Sequence, residues 1–137
     1  MLGFDVNWLA IILAVVASMG LGMIWYMSLA KYWISATGKT EKQLMGKGSN
    51  AIPFVYAAAC QLVIAFFIAN LTPALMDGVL NAYNGALVGA KMWFGFILTA
   101  MIINHRYQNM SWRLTIIDGG YMLGVVLVQG MVIGLFG

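Results

Sequence analysis

Two ionisable residues, Lys91 and Asp118, lie within otherwise apolar stretches of this 137-residue chain. A charged side chain in the hydrocarbon of a bilayer costs roughly 2.5–3.5 kcal/mol on insertion scales, and such residues often mark a solute pathway or a proton relay. Both are therefore candidates for a functional site. A structural role is the alternative for each: Asp118 can join helices by hydrogen bonds, and Lys91 can extend its stem to the headgroups.

Four uncharged polar residues accompany these two in the apolar stretches. Their heights in the membrane can be counted, at the helical rise, from the helix ends that adjoin the Lys- and Arg-containing connections. These heights are about 7 Å for Asp118 and Thr99, about 15 Å for Gln61 and Ser18, about 20 Å for Lys91 and about 24 Å for Gln129. Such a series can line a path for a small solute or a proton, with Lys91 favouring an anion and Asp118 acting as a gate or relay. The alternative is that the amides and hydroxyls only join helices.

Asp118 is predicted to face protein rather than lipid. It lies only five residues into its helix, so donors near the Lys- and Arg-containing connections can reach its carboxylate. The candidate donors are Tyr26, Lys31, Asn104 and Arg106.

The remaining side chains indicate no other chemistry. His105, the only histidine, has no second ligand or binding motif beside it, and the single Cys60 precludes an intrachain disulfide. No Ser-His-Asp set can be argued, and the eleven methionines form no soft-metal cluster. We therefore expect no enzyme, no catalytic residue, no cofactor and no metal. The net charge of +3 lies beside helix ends, where it indicates membrane threading and not nucleic-acid binding.

Four long apolar stretches must position these residues. Hydrophobic residues make up 63% of the chain and charged residues 8%, which is far outside the range of soluble domains. About 20 apolar residues span the hydrocarbon of a bilayer. The sequence therefore predicts one all-α domain over residues 1–137, with transmembrane helices at about 8–30, 51–71, 84–104 and 113–136. The first stretch lacks a basic n-region and is predicted to be a retained helix.

Positive charge predicts how the helices are threaded. The first and third connections carry all the loop cations, whereas the N-terminal segment and the second connection carry only Asp5 and Asp77. The positive-inside rule places the basic connections in the cytoplasm and both termini outside, in a bacterial inner membrane. The six cations are Lys31, Lys39, Lys42, Lys47, Arg106 and Arg113.

The connections contain two helix signals. Thr40 followed by Gln43 matches a capping box and predicts a short surface helix over 41–45. Pro73 is predicted to begin a further segment on the membrane surface, because proline is tolerated in the first turn of a helix.

Small residues recur at four-residue spacing, which lets helices approach closely where apolar burial gives little force. Four such pairs exceed what one compact bundle needs, so we predict a homo-oligomer. The pairs are Ser18 and Gly22, Gly85 and Gly89, Gly120 and Gly124, and Gly130 and Gly134.

Three motifs together resemble a bacterial and fungal membrane family known as domain of unknown function 1761. Their order and spacing extend over nearly the whole chain. The resemblance implies a small four-helix integral membrane protein and implies no activity. The motifs are Asn7-Trp8-Leu9-Ala10, then Gly22-x-x-Trp25-Tyr26 with Lys31-x-Trp33 and Gly38, then Trp112-Arg113-x-x-Ile116-Ile117-Asp118-Gly119-Gly120-Tyr121.

Two functions are consistent with these features. The first is a homo-oligomeric inner-membrane protein that provides or regulates passage of a small solute, with its polar residues facing an inner or intersubunit cavity. The second is an accessory subunit that docks onto a larger membrane assembly through its glycine-rich faces and transports nothing.

Overall fold

The structure is a computed structural model that describes residues 3–40, 43 and 51–137. Within these residues, four helices are long and apolar enough to cross a membrane. They are α1 (Trp8–Thr37), α2 (Ala51–Leu75), α3 (Ala82–Tyr107) and α4 (Trp112–Phe136). The predicted all-α class and the four apolar helices are therefore confirmed.

Three helices extend further than predicted, and α3 does so by two residues at its start and three at its end. α1 runs past Ala30 to Thr37, because no glycine or proline lies between Ala30 and Gly38, which ends the helix with a φ of 72°. α2 runs through Pro73, so the prediction that Pro73 begins a new segment is wrong. Pro73 removes only the bond from its own nitrogen to the carbonyl of Ala69, and α2 ends two residues later.

Hydrogen bonds fix which helix ends meet. The side chain of Asn7 donates to the carbonyl of Phe136 at 2.7 Å, so the start of α1 meets the end of α4. We call this the terminal end; it also holds the α2–α3 turn, in which Asp77 and Gly78 have φ values of 54° and 82°. Consecutive helices therefore run in alternating directions.

The opposite end is called the basic end. Here the Ser111 hydroxyl donates to the carbonyl of Ala36 at 2.7 Å, which joins the end of α1 to the start of α4. The predicted capping box is present, because Thr40 and Gln43 exchange backbone-to-side-chain hydrogen bonds of 2.9 and 3.2 Å. The rest of the predicted short helix at 41–45 lies outside the described residues.

α4 packs against each of the other three helices. Its contact with α3 is one of backbone against backbone, because Gly85 and Gly130 approach so closely that a methyl group on either would overlap the carbonyl of the other. Gly89 lies against the carbonyl of Val126, and Gly134 lies against the backbone of Asn81. Without side chains at these positions, the two helix backbones can touch.

The contact between α1 and α4 uses the other glycines of the predicted small-residue pairs. Gly22 faces the Tyr121 hydroxyl, Gly120 faces the Trp25 ring, and Gly124 faces the side chain of Leu21. The packing role predicted for the glycines therefore applies within one chain. This removes the premise that some of them are left over for contacts between chains.

The bundle is packed more tightly in its terminal half. Ile11, Ile68, Val126 and Ile133 form an apolar core there, each at most 1% exposed. By contrast, every residue from 51 to 56 at the start of α2 is exposed. α3 also contains a π-helical segment, Trp93–Leu98, with no buried residue.

Candidate functional site

Asp118 is held by two side chains of α1. The Tyr26 hydroxyl donates to its Oδ1 at 2.6 Å, and the Trp33 indole N–H donates to the same oxygen at 3.1 Å. Asp118 thus faces protein in the structure, and Tyr26, one of its four predicted donors, is bonded to it. Neither donor carries a charge, so the carboxylate is stabilised without being neutralised.

Trp33 was not among the predicted partners. It lies seven residues after Tyr26, which is two helical turns, so both side chains lie on the same face of α1. The hydropathy pattern ended α1 at Ala30 and left Trp33 in the connection. The seven-residue spacing of Tyr26 and Trp33 is the signal that points to a shared face.

The other three predicted donors do not bind Asp118. Lys31 and Asn104 are exposed. Arg106 instead donates to the carbonyl of Met110 at 2.9 Å and to the Thr115 hydroxyl at 3.0 Å. It therefore fastens the turn between α3 and α4, which is a structural role.

Three tryptophan N–H groups converge on consecutive residues of α4. Trp25 donates to the carbonyl of Ile117 at 3.1 Å, and Trp93 of α3 donates to the carbonyl of Gly119 at 2.8 Å. The third is the bond from Trp33 to Asp118. Indole rings from both sides can approach this stretch because Gly119 and Gly120 have no side chains.

A line of side-chain contacts, one aromatic and the others polar, continues from Asp118 toward the terminal end. The Tyr26 ring packs edge-on against Tyr121, with ring centroids 5.0 Å apart. The Tyr121 hydroxyl then accepts a hydrogen bond of 2.6 Å from the side-chain N–H of Gln61 on α2. Tyr121 thereby links the Asp118 site to the middle of the bundle.

Three polar side chains meet in the middle of the bundle. The Ser18 hydroxyl donates to Gln61 Oε1 at 2.5 Å, and the Gln129 amide donates to Ser18 Oγ at 3.1 Å and to the Gln61 backbone carbonyl at 3.0 Å. All three residues are at most 4% exposed. We call the line from Asp118 through Tyr121 to this cluster the polar column.

The other two predicted members lie apart from the polar column. Lys91 is exposed, and the Thr99 hydroxyl, also on an exposed residue, donates to the carbonyl of Gly95 in its own helix at 2.9 Å. The expectation that Lys91 shares an interior with Gln61 and Gln129 is therefore not met. Its position outside the bundle agrees with the alternative that its stem extends to the headgroups.

The chemistry of the polar column is that of hydroxyls, amides and one carboxylate. Among the described residues, no group of three or more His, Cys, Asp or Glu side chains is placed to hold a metal ion. His105 lies at the basic end, where its Nδ1 is 2.7 Å from the Thr115 hydroxyl, one turn before Asp118. Asp118 is thus the one acid in the polar column and the only group there that can carry a negative charge at neutral pH.

The family model described as "Protein of unknown function (DUF1761)" matches residues 9–134, so the chain belongs to that family. This confirms the family indicated by the sequence motifs. No curated protein and no solved structure matches the chain. The motif residues meet at the candidate site, since Trp25, Tyr26 and Trp33 all contact the Ile117–Gly120 segment.

Proposed function

We propose that this member of the family provides passage for a proton or another small cation, with Asp118 as the group that binds it. The observation that carries the proposal is the environment of the carboxylate. It lies in a membrane-spanning helix and is hydrogen-bonded by Tyr26 and Trp33, which are both neutral. In a medium of low dielectric constant, a negative charge held in this way attracts a proton or a cation strongly.

The polar column gives such a cation further oxygen contacts beyond Asp118. Asp118 and Gln129 are eleven residues apart on α4, so the column covers roughly 16 Å of the bilayer. A cation rather than an anion is proposed, because Lys91 is outside the column and contributes no positive charge to it. Self-association is no part of the proposal, because the glycines that suggested it are used within the chain.

Passage along the column needs a movement of helices. Ser18, Gln61 and Gln129 bond one another directly and are buried, so they close the column at its inner end, in the middle of the bundle. We propose that α2 moves, because it supplies Gln61 and its first six residues make no buried contact. Displacement of α2 would break the contacts of Gln61 and leave its polar partners open to a passing ion.

The same closure favours a second candidate function. If the column stays closed, its hydrogen bonds serve only to join α1, α2 and α4. The protein would then be a non-transporting subunit of a larger membrane assembly. Both candidates use the same residues, so they must be separated by measuring flux.

Proton flux into proteoliposomes tests the proposal. The parent protein is reconstituted with a trapped pH-sensitive dye, and an imposed potassium potential drives protons inward. We expect flux in the parent and its loss in Asp118→Asn, which keeps an oxygen for Tyr26 and Trp33 but removes the charge. Asp77→Asn is the matched control, since Asp77 is exposed in the α2–α3 turn and asparagine tolerates its positive φ.

The flux measurement also identifies the second candidate. The same liposomes are tested with radioactive sodium and potassium, so that a cation other than the proton is detected. If the parent shows no flux of any of the three ions above that of empty liposomes, the accessory-subunit function replaces the proposal. Co-purification of the chain with a larger membrane complex would then be expected.

A further inference from the structure

A groove runs along the outer surface of the bundle between α3 and α4. It has a volume of about 260 Å³, and its walls are almost entirely apolar. Trp93 and Leu98, the first and last residues of the π-helical segment, line it from α3. Ile116, which lines it from α4, is 70% exposed, so the groove opens away from the interior of the bundle. The other lining residues are Thr115, Gly119, Gly120 and Leu123.

The groove exists because α3 and α4 are further apart here than at the terminal end. At Gly85 and Gly89 the backbones of the two helices touch. At Gly119, by contrast, a methyl group would meet only side chains of α3, the nearest being Leu98 at 3.3 Å. The space beside Gly119 is also left open by the π-helical segment, which has no buried residue. Such segments inside α-helices are frequent at functional sites.

Two arginines lie where the groove reaches the basic end. Arg106 donates to the hydroxyl of Thr115, a lining residue, at 3.0 Å. Among the described residues it donates only to neutral oxygens, so no acid bonded to it balances its charge. Arg113 is exposed and precedes Ile116 by three residues, almost one helical turn, so it lies on the groove side of α4. Trp112, 57% exposed at the start of α4, marks the height of the lipid headgroups.

We propose that this groove binds one anionic phospholipid, with an acyl chain between α3 and α4 and the phosphate at the two arginines. Basic pockets between transmembrane helices bind anionic headgroups. The exposed guanidinium of Arg113 can hold a phosphate through two parallel hydrogen bonds. Arg106 adds a second positive charge at the same end of the groove. The apolar walls then receive the chain that continues from the headgroup into the bilayer.

The size of the groove favours an acyl chain over a helix of another protein. One turn of helix, about 10 Å across and about 5.4 Å long, fills roughly 400 Å³, which is more than the whole groove. An extended hydrocarbon chain is only roughly 4–5 Å across, because carbon atoms in contact lie about 3.5–4.0 Å apart. From Thr115 to Leu123 the groove follows α4 for roughly 12 Å. It therefore holds part of one acyl chain, next to the headgroup.

This inference goes beyond the proposed function and is independent of it, because binding of a lipid needs no flux of any ion. It assigns a role to the π-helical segment and to Arg113. It also places lipid against the segment that holds Asp118, since Gly119 and Gly120 follow that residue directly and line the groove.

Titration of the purified full-length protein with lipids tests the site. The protein is freed of lipid in detergent and titrated with phosphatidylglycerol, phosphatidylcholine or glycerol phosphate, and native mass spectrometry counts the molecules bound per chain. The first probe has a net negative charge and acyl chains, the second lacks the net charge, and the third lacks the chains. We expect one phosphatidylglycerol to bind at least about fivefold more tightly than phosphatidylcholine, and glycerol phosphate not to bind.

The charge at the groove is tested by Arg113→Gln. This variant should bind phosphatidylglycerol about fivefold more weakly, the factor expected for the loss of one basic residue at an anionic headgroup. Lys31→Gln is the matched control, because Lys31 is an exposed cation near the same end of α1. Its affinity for phosphatidylglycerol should equal that of the parent.

The groove itself is tested by Gly119→Leu, which fills the space between α3 and α4. This variant should lose the bound phosphatidylglycerol. Gly95→Leu is the matched control, because Gly95 is exposed in the π-helical segment and a methyl group there meets no atom within 4 Å. It should bind phosphatidylglycerol as the parent does.

Each other outcome overturns the proposal in a different way. Equal affinity for phosphatidylglycerol and phosphatidylcholine would remove the role of the arginines. Binding of glycerol phosphate as tight as that of phosphatidylglycerol would remove the role of the groove. Unchanged binding in both Arg113→Gln and Gly119→Leu would place the lipid elsewhere on the bundle, and a dimer that excludes the lipid would put a second copy of the chain in the groove. If Gly119→Leu does not fold, the comparison of Arg113→Gln with Lys31→Gln decides alone.

Discussion

Gly130→Ala should destabilise the fold because it lies where α3 and α4 approach most closely. A methyl group at Gly130 would overlap the carbonyl of Gly85 and lie 2.7 Å from the backbone nitrogen of Ala86. These are backbone atoms in the middle of a helix, so they cannot rotate away as a side chain can. The helices themselves must separate.

The size of the effect follows from that separation. Ordinary contact begins at 3.4 Å, so the two helices must move apart locally by roughly 1 Å, and their surrounding contacts weaken. Overpacking of this kind costs about 1–3 kcal/mol. Alanine also favours helix over glycine by up to about 1 kcal/mol. Gly20→Ala is the matched control, because Gly20 lies within α1 and a methyl group there meets no atom within 4 Å.

The free energy of unfolding of both variants is measured in detergent micelles. Increasing fractions of dodecyl sulfate unfold the protein, and circular dichroism follows the loss of helix. The gain in helix propensity is common to them, so their difference reports the overpacking alone, about 1–3 kcal/mol. The double variant Gly85→Ala with Gly130→Ala should lose less than the sum of the single losses, since one separation makes room for both methyl groups. Equal stability of Gly130→Ala and Gly20→Ala would refute the close contact.

Two further predictions concern the Asp118 site and the threading of the chain. Tyr26→Phe should lower the free energy of unfolding by about 1.5–3 kcal/mol, because a hydrogen bond to a charged group contributes about that much. The same change at the exposed Tyr32 should have little effect. Equal losses of stability in the two variants would contradict the role of Tyr26. In a Cys60→Ser background, an impermeant thiol reagent applied to intact cells should label a cysteine at Asp77 and spare one at Lys39, because the basic end is predicted to be cytoplasmic. The reverse labelling pattern would contradict the topology.

Apolar run lengths predicted where the helices lie but not where they end. The run in α1 stops near Ala30, yet a helix ends where the backbone is interrupted, and here that happens at Gly38. The difference mattered for the site, because Trp33 lies in the extra turns. The π-helical segment of α3 had no recognised signal, since Trp93–Leu98 is an ordinary apolar sequence.

The heights of the polar residues in the membrane were predicted by counting residues along each helix. The direction in which each side chain points around its helix depends on which helices lie next to it. Asp118 and Gln129 are eleven residues apart, just over three whole turns, so their shared face could have been read from the sequence. Lys91 follows Gly89 by two residues, which turns it by about 200°. Because Gly89 faces α4, Lys91 must face away from it. The sequence alone did not show which helix Gly89 would meet.

The two kinds of contact made by α4 explain why α2 is the helix we expect to move. In lipid, helices are joined by close backbone packing and by hydrogen bonds rather than by apolar burial. α3 is joined to α4 by glycine contacts along its first half, whereas α2 contains no glycine. α2 packs through small alanines near its terminal end and through Gln61 at mid-height, whereas its first six residues are exposed. Exchange of the Gln61 hydrogen bonds for contacts with an ion would therefore free α2 without disturbing the glycine packing that holds α3 and α4 together.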